Sequence, residues 1–153
     1  MPQLIHTIDH IARIQRRDVL MLSFYDRALK ERLEAAPPDD QFDAQQQWRD
    51  HRLEAWETLL VRQQIIDWLD AKDITWQPCA PFMSGWVMMS GYMGDIYLDV
   101  PYDKDLPLYQ ALEAYLQYPD DRMRFDNVLF FYLPLELAME NAEQDEPGFF
   151  DEI

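Results

Sequence analysis

From Gln3 to Ala36 the chain runs 34 residues without a glycine or a proline, while all four glycines and seven of the ten prolines lie beyond Lys72. Such punctuation constrains a fold strongly. An uninterrupted stretch can hold helical backbone angles over many turns, whereas proline and glycine impose turns and strand ends. The distribution predicts a helical first half and a strand-containing second half.

In the first half Ile5, Ile8, Ile11 and Ala12 recur at helical spacing, and Leu22, Tyr25, Leu29 and Leu33 do so again. One helix over the whole stretch would be unusually long, so a break is expected near Arg16-Arg17-Asp18, with Asp18 capping a second helix. Pro37-Pro38 stops it, because the residue before a proline is pushed out of the α region. A further helix is expected from Asp40 to about Ala71, with Leu53, Trp56, Leu60, Ile66 and Leu69 as its inner stripe. These pieces would pack as a long antiparallel helical hairpin.

In the second half Ile74-Thr75-Trp76 reads as a short strand ended by Pro78 and Pro81. Trp86–Ser90 and Asp95–Val100 read as two strands of a hairpin turning through Gly91-Tyr92-Met93-Gly94. Ile96, Leu98 and Val100 alternate with Tyr97 and Asp99, the pattern of a half-buried strand. Pro107 suits the first turn of a helix that ends at Tyr118-Pro119. Val128–Tyr132 is a continuous apolar run, expected as a central buried strand, and a short helix follows from Pro134 to about Glu143. The expected fold is α+β: an N-terminal long helical hairpin packed with a small, mostly antiparallel sheet, in the order ααβββαβα. Residues 1–153 read as a single domain, with 144–153 as a flexible acidic tail.

An apolar fraction of 48% and an aromatic fraction of 14% exclude an acidic disordered chain and imply a real core. Cys79 is the sole cysteine, so no intrachain disulfide forms. The first ten residues lack a basic start followed by an apolar run. A cytoplasmic protein is expected.

Charge narrows the function. The net charge is −16, and residues 95–153 carry about −12 of it, with 15 acids against Lys104, Arg122 and Arg124. That field repels nucleic acid and anionic membranes and attracts cationic partners. The reading is a non-enzymatic acidic module that engages a basic protein through its C-terminal half, in the manner of an immunity protein, a secretion chaperone or a nucleic-acid mimic. No cofactor is expected. Tyr92 and Met93 at the hairpin tip, Tyr97, Tyr102, Phe149 and Phe150 are the candidate aromatic or methionine anchors. Asp99, Asp103, Asp105 and the stripe Glu136, Glu140 and Glu143 would supply the charge.

Two alternatives stand beside this reading. His6 and His10 share a helix face and His51 lies on the next long helix, so a metal-dependent enzyme could draw on them together with Asp9 or Glu54 if the hairpin brought them together. The Glu-x-x-His spacing of di-iron bundles is absent. Neither Ser84 nor Ser90 sits in a Gly-x-Ser-x-Gly turn, and no cation neighbours Cys79 in sequence. The other alternative is a homo-oligomer whose interface is the helical hairpin.

Overall fold

The computed structural model describes residues 1–4, 10–79 and 92–140. The elements are β1 (Gln3–Leu4), α1 (His10–Gln15), β2 (Val19–Phe24), α2 (Arg27–Glu34), α3 (Gln41–Ala55), α4 (Leu60–Ala71), β3 (Trp76–Pro78), β4 (Ile96–Leu98), α5 (Pro107–Leu116), β5 (Val128–Leu133) and α6 (Leu135–Met139). The five strands form one mixed sheet in the order β1-β5-β2-β4-β3. Only β1 with β5 is parallel, and the other three pairings are antiparallel. The fold is α+β, but its element order is not the expected ααβββαβα.

The largest difference lies at β2. Residues 19–24, expected inside a helix, form a fully buried strand paired with β5 from Val19↔Leu133 to Phe24↔Val128 and with β4 from Leu20↔Leu98 to Leu22↔Ile96. The physical reason is burial on two faces. Leu20, Leu22 and Phe24 join one core cluster with Ile65, Ile66 and Leu69 of α4 and Tyr109, Leu112 and Leu116 of α5. Val19 and Met21 join a second cluster with Ile11 and Ala12 of α1 and Ala138 of α6. A strand covered on both sides has no polar alternation to betray it, and each large side chain so buried contributes about 1.5–3 kcal/mol.

The expected break near Arg16 is present, but it separates a helix from a strand. Arg16 takes a left-handed φ of 56°, and the Arg17 amide donates to the Ala12 carbonyl at 3.3 Å, closing α1. Asp18 caps no local helix; its Oδ1 accepts instead from the amide of Leu135 at 2.9 Å, at the start of α6. The long hairpin is replaced by a shorter pair in which α2 packs on α3, while α1 packs on α6. The expected helix over 40–71 is interrupted by a 3-10 turn at Trp56–Thr58 and an extended Leu59. Leu60 is therefore 86% exposed at the restart of the helix, and Leu59 takes the inward place expected of it.

Other elements match their expectations closely. Pro107 opens α5, and the extended backbone of Gln117 ends it before Pro119. β5 is an interior strand flanked by β1 and β2, although Leu129, Phe131 and Tyr132 are only half-buried. The strand expected over 86–90 and the tail over 144–153 lie outside the described residues.

Candidate partner-binding surface

Strand register decides which acidic residues meet. Leu20 pairs with both Leu98 and Tyr132, and Trp76 pairs with Leu98. The start of β2, the end of β4, the end of β5 and the start of β3 therefore share one end of the sheet. Exposed Asp73, Asp99 and Glu136 sit where the chain enters or leaves the sheet there. The loop that departs from this end toward α5 adds exposed Asp103 and Asp105.

Local chemistry shapes this end. α4 stops because Asp73 adopts a left-handed φ of 57°, a conformation that Asp tolerates, and the Ile74 amide folds back onto the Leu69 carbonyl at 2.9 Å. The turn brings Asp70 beside Trp76, whose indole N–H donates to Asp70 Oδ1 at 3.1 Å. Asp70, Asp73, Ile74, Thr75 and Trp76 line an open depression of about 510 Å³. Asp99 is fixed next to it, since its amide donates to the Thr75 carbonyl at 2.8 Å. The Asp99 carboxylate pairs with the Arg17 guanidinium. Asp103 Oδ1 accepts the Asp105 amide at 2.9 Å, the side-chain-to-backbone turn that leads into α5. Among the described residues no cation pairs with Asp73, Asp103, Asp105, Glu136 or Glu140.

The acidic field of the second half is partly cancelled by the first. Arg52 pairs with Asp95 at 2.7 Å, Arg27 reaches Asp126 at 3.6 Å, and the N-terminal ammonium contacts Asp121 at 2.5 Å. Arg122 engages Asp120 at 2.7 Å, and the hydrogen bonds from Arg122 hold the Asp120 carboxyl below its ordinary range.

The expected anchors do not form one surface. Tyr97 is only 2% exposed, because α1 and α6 cover the face it points to, so it is no surface anchor. Tyr92 and Met93 are half-buried and lie next to Asp95, at the opposite end of the sheet from Asp99. The Tyr92 ring packs on Trp56 at 4.8 Å and its hydroxyl donates to the Asp95 carbonyl at 2.5 Å. Burial pushes this phenol up to about 12. Tyr102 stacks between Tyr109, at 5.3 Å, and Tyr132, at 4.8 Å, and burial raises its hydroxyl as well. Tyr109 in turn donates to Glu113, and burial followed by that contact raises its pKa. Glu143, Phe149 and Phe150 lie outside the described residues. Asp99, Tyr102, Asp103, Asp105 and Glu136 thus lie toward the same end of the sheet, but Asp103 and Asp105 lead into α5 on one face while Glu136 and Glu140 belong with α6 on the other. Asp73 and Trp76 lie outside the expected anchors, and the sequence signal for them is two aspartates, Asp70 and Asp73, shortly ahead of a tryptophan.

The metal alternative drew on His6 and His10 together with His51, and the described residues include only part of that set. Among the described residues α1 packs on α6 and α2 packs on α3. His6 lies outside the described residues, and His51 is half-buried on α3. Among the described residues no three His, Cys, Asp or Glu side chains are placed to hold a metal ion. Cys79 is buried, and burial raises its thiol well above the usual value, which opposes thiolate chemistry. No helix of the described residues is long and apolar enough to cross a membrane. Comparison with protein-family models, characterised proteins and solved structures returned no match.

Proposed function

We propose that the protein is a non-enzymatic binding module for a basic protein, which docks at the acidic end of the sheet. One observation carries this reading. The Trp76 depression is rimmed by Asp70 and Asp73, flanked by Asp99, and followed by the carboxylates of Asp103 and Asp105, with which no cation among the described residues pairs. A half-buried indole beside carboxylates suits a Lys or Arg side chain, whose aliphatic stem packs on the ring while its head meets the acids. The remaining field steers the encounter. Immunity protein, secretion chaperone and nucleic-acid mimic are the classes of binder that share this chemistry.

The test is capture of partners from lysate at low salt, elution along a salt gradient, and association kinetics with the partner obtained. The association rate should fall steeply as salt shortens the reach of the field. The triple variant Asp73→Asn, Asp103→Asn, Asp105→Asn should slow association and flatten its salt dependence. Salt-insensitive association with every captured partner would sink the proposal.

A second reading, a homo-oligomer, is favoured by two apolar residues in the helical region, Phe42 at 78% and Leu60 at 86% exposure. Sedimentation across concentrations, at salt high enough to screen the −16 charge, decides it. A single monomeric species throughout would remove this reading.

A further inference from the structure

Residues 25–58 leave the body of the fold and return to it. Among the described residues, neither core cluster, nor any half-buried residue packed against one, includes a residue from this segment. α2 contains no buried residue, and α3 buries only Ala44. The two helices pack on each other. The segment is therefore an arm on the sheet, and its attachments can be named.

Its two ends are pinned. At the entry, the Tyr25 amide donates to the Asn127 carbonyl at 3.0 Å and the Arg27 amide to Asn127 Oδ1 at 3.1 Å. At the exit, Trp56 sits against Gly94 and Tyr92, with the Arg62 guanidinium 4.6 Å from its ring. Between these points Arg52 of α3 reaches the sheet among the described residues. Arg52 donates from one nitrogen to Ser23 Oγ at 3.2 Å, to the Phe24 carbonyl at 3.3 Å and to Asp95 Oδ1 at 2.7 Å. The Arg52 and Asp95 side chains are 14% and 9% exposed. The contact is imperfect, since Arg52 Nε is buried without a hydrogen-bond partner.

We propose that the Arg52–Asp95 pair is the latch of a separately opening arm formed by α2 and α3. With the ends pinned and no residue of the segment in either core cluster of the described residues, release of this guanidinium lets the helix pair swing or fray while the sheet stays folded. A charged group inserted where β2 ends and β4 begins holds the arm down without fusing it to the core. The inference stands apart from the binding proposal, since it involves the opposite end of the sheet.

Hydrogen–deuterium exchange followed by mass spectrometry tests it on the full chain. The variant Arg52→Gln should speed exchange across 27–55 by about tenfold or more, the scale of one lost charge-assisted hydrogen bond. Peptides from β2, β5, α4 and α5 should be unchanged. Asp95→Asn, which takes the charge out of the same contact from the sheet side, should speed exchange in the same peptides. Acceleration throughout the chain, no acceleration in 27–55, or a variant that fails to fold would each overturn the proposal.

Discussion

Gly94 offers a test of the packing by a single methyl group. Its φ is +96°, its carbonyl accepts from Arg62 Nε at 3.0 Å, and a Cβ added to it would lie 2.9 Å from the Cβ of Trp56. Gly94→Ala therefore carries two costs. Holding an L-residue at positive φ costs about 1–2 kcal/mol. Crowding a packed contact costs about 1–3 kcal/mol more, because the obstacle is the base of the tryptophan and not a flexible end. A total near 3 kcal/mol is a large part of the roughly 5–15 kcal/mol that holds a domain folded. At about 2–4 °C per kcal/mol, Tm should drop by roughly 6–12 °C in a calorimetric or circular-dichroism melt. The two costs separate in a double-mutant cycle. Trp56→Ala keeps the offending Cβ and is not a useful partner, whereas Trp56→Gly removes it. In the Trp56→Gly background Gly94→Ala should retain only its backbone cost, about 1–2 kcal/mol. A wild-type cost below about 0.5 kcal/mol, or a cost undiminished in the Trp56→Gly background, would refute the argument.

Two further outcomes follow from burial. Burial raises the Asp95 carboxyl above its ordinary value of 3.8, against the pull of Arg52. A raised folded-state pKa gives stability that is complete below the unfolded value and is lost as pH rises through the folded value. The stability of the protein relative to Asp95→Asn, measured by urea unfolding at a series of pH values, should fall as pH rises through that window and then level off. A difference that climbs with pH would mean that Arg52, rather than burial, governs this carboxyl. Phe130, 1% exposed, and Phe42, 78% exposed, provide the contrast in packing. Phe130→Ala should cost about 3–5 kcal/mol and Phe42→Ser no more than about 0.5 kcal/mol in urea unfolding. A cost above about 1 kcal/mol for Phe42→Ser would show that this side chain is covered in solution.

Parts of the fold were legible because one local signal sufficed. Pro107 and Pro119 bracket α5, since proline suits a first turn and cannot continue a helix. The apolar run at β5 lies between turns and contains no glycine or proline, so length and composition pointed to a strand. β2 defeated the same logic. Val-Leu-Met-Leu-Ser-Phe is apolar apart from Ser23, but no glycine or proline brackets it, and Leu22, Tyr25, Leu29 and Leu33 happen to fit a helical stripe. Periodicity alone does not distinguish a strand buried on two faces from a buried helix. The candidate surface shows the same divide. Asp99, Asp103 and Asp105 were legible as exposed loop acids, whereas Trp76 joins them through its pairing with Leu98, a partner 22 residues away.

By itself the sequence determined the acidic balance, the presence of an apolar core and the points where helices cannot continue. These follow from residue type and near neighbours alone. Tertiary structure decided that residues 19–24 are a strand, because β4 and β5 flank it and helices cover both its faces. It also decided that Tyr97 is core and that Arg52, Arg27 and the N-terminus neutralise acids far away in the chain. Each of these outcomes depends on which distant surfaces meet. Hydrophobic burial and charge pairing are set by that proximity, which no window of sequence contains.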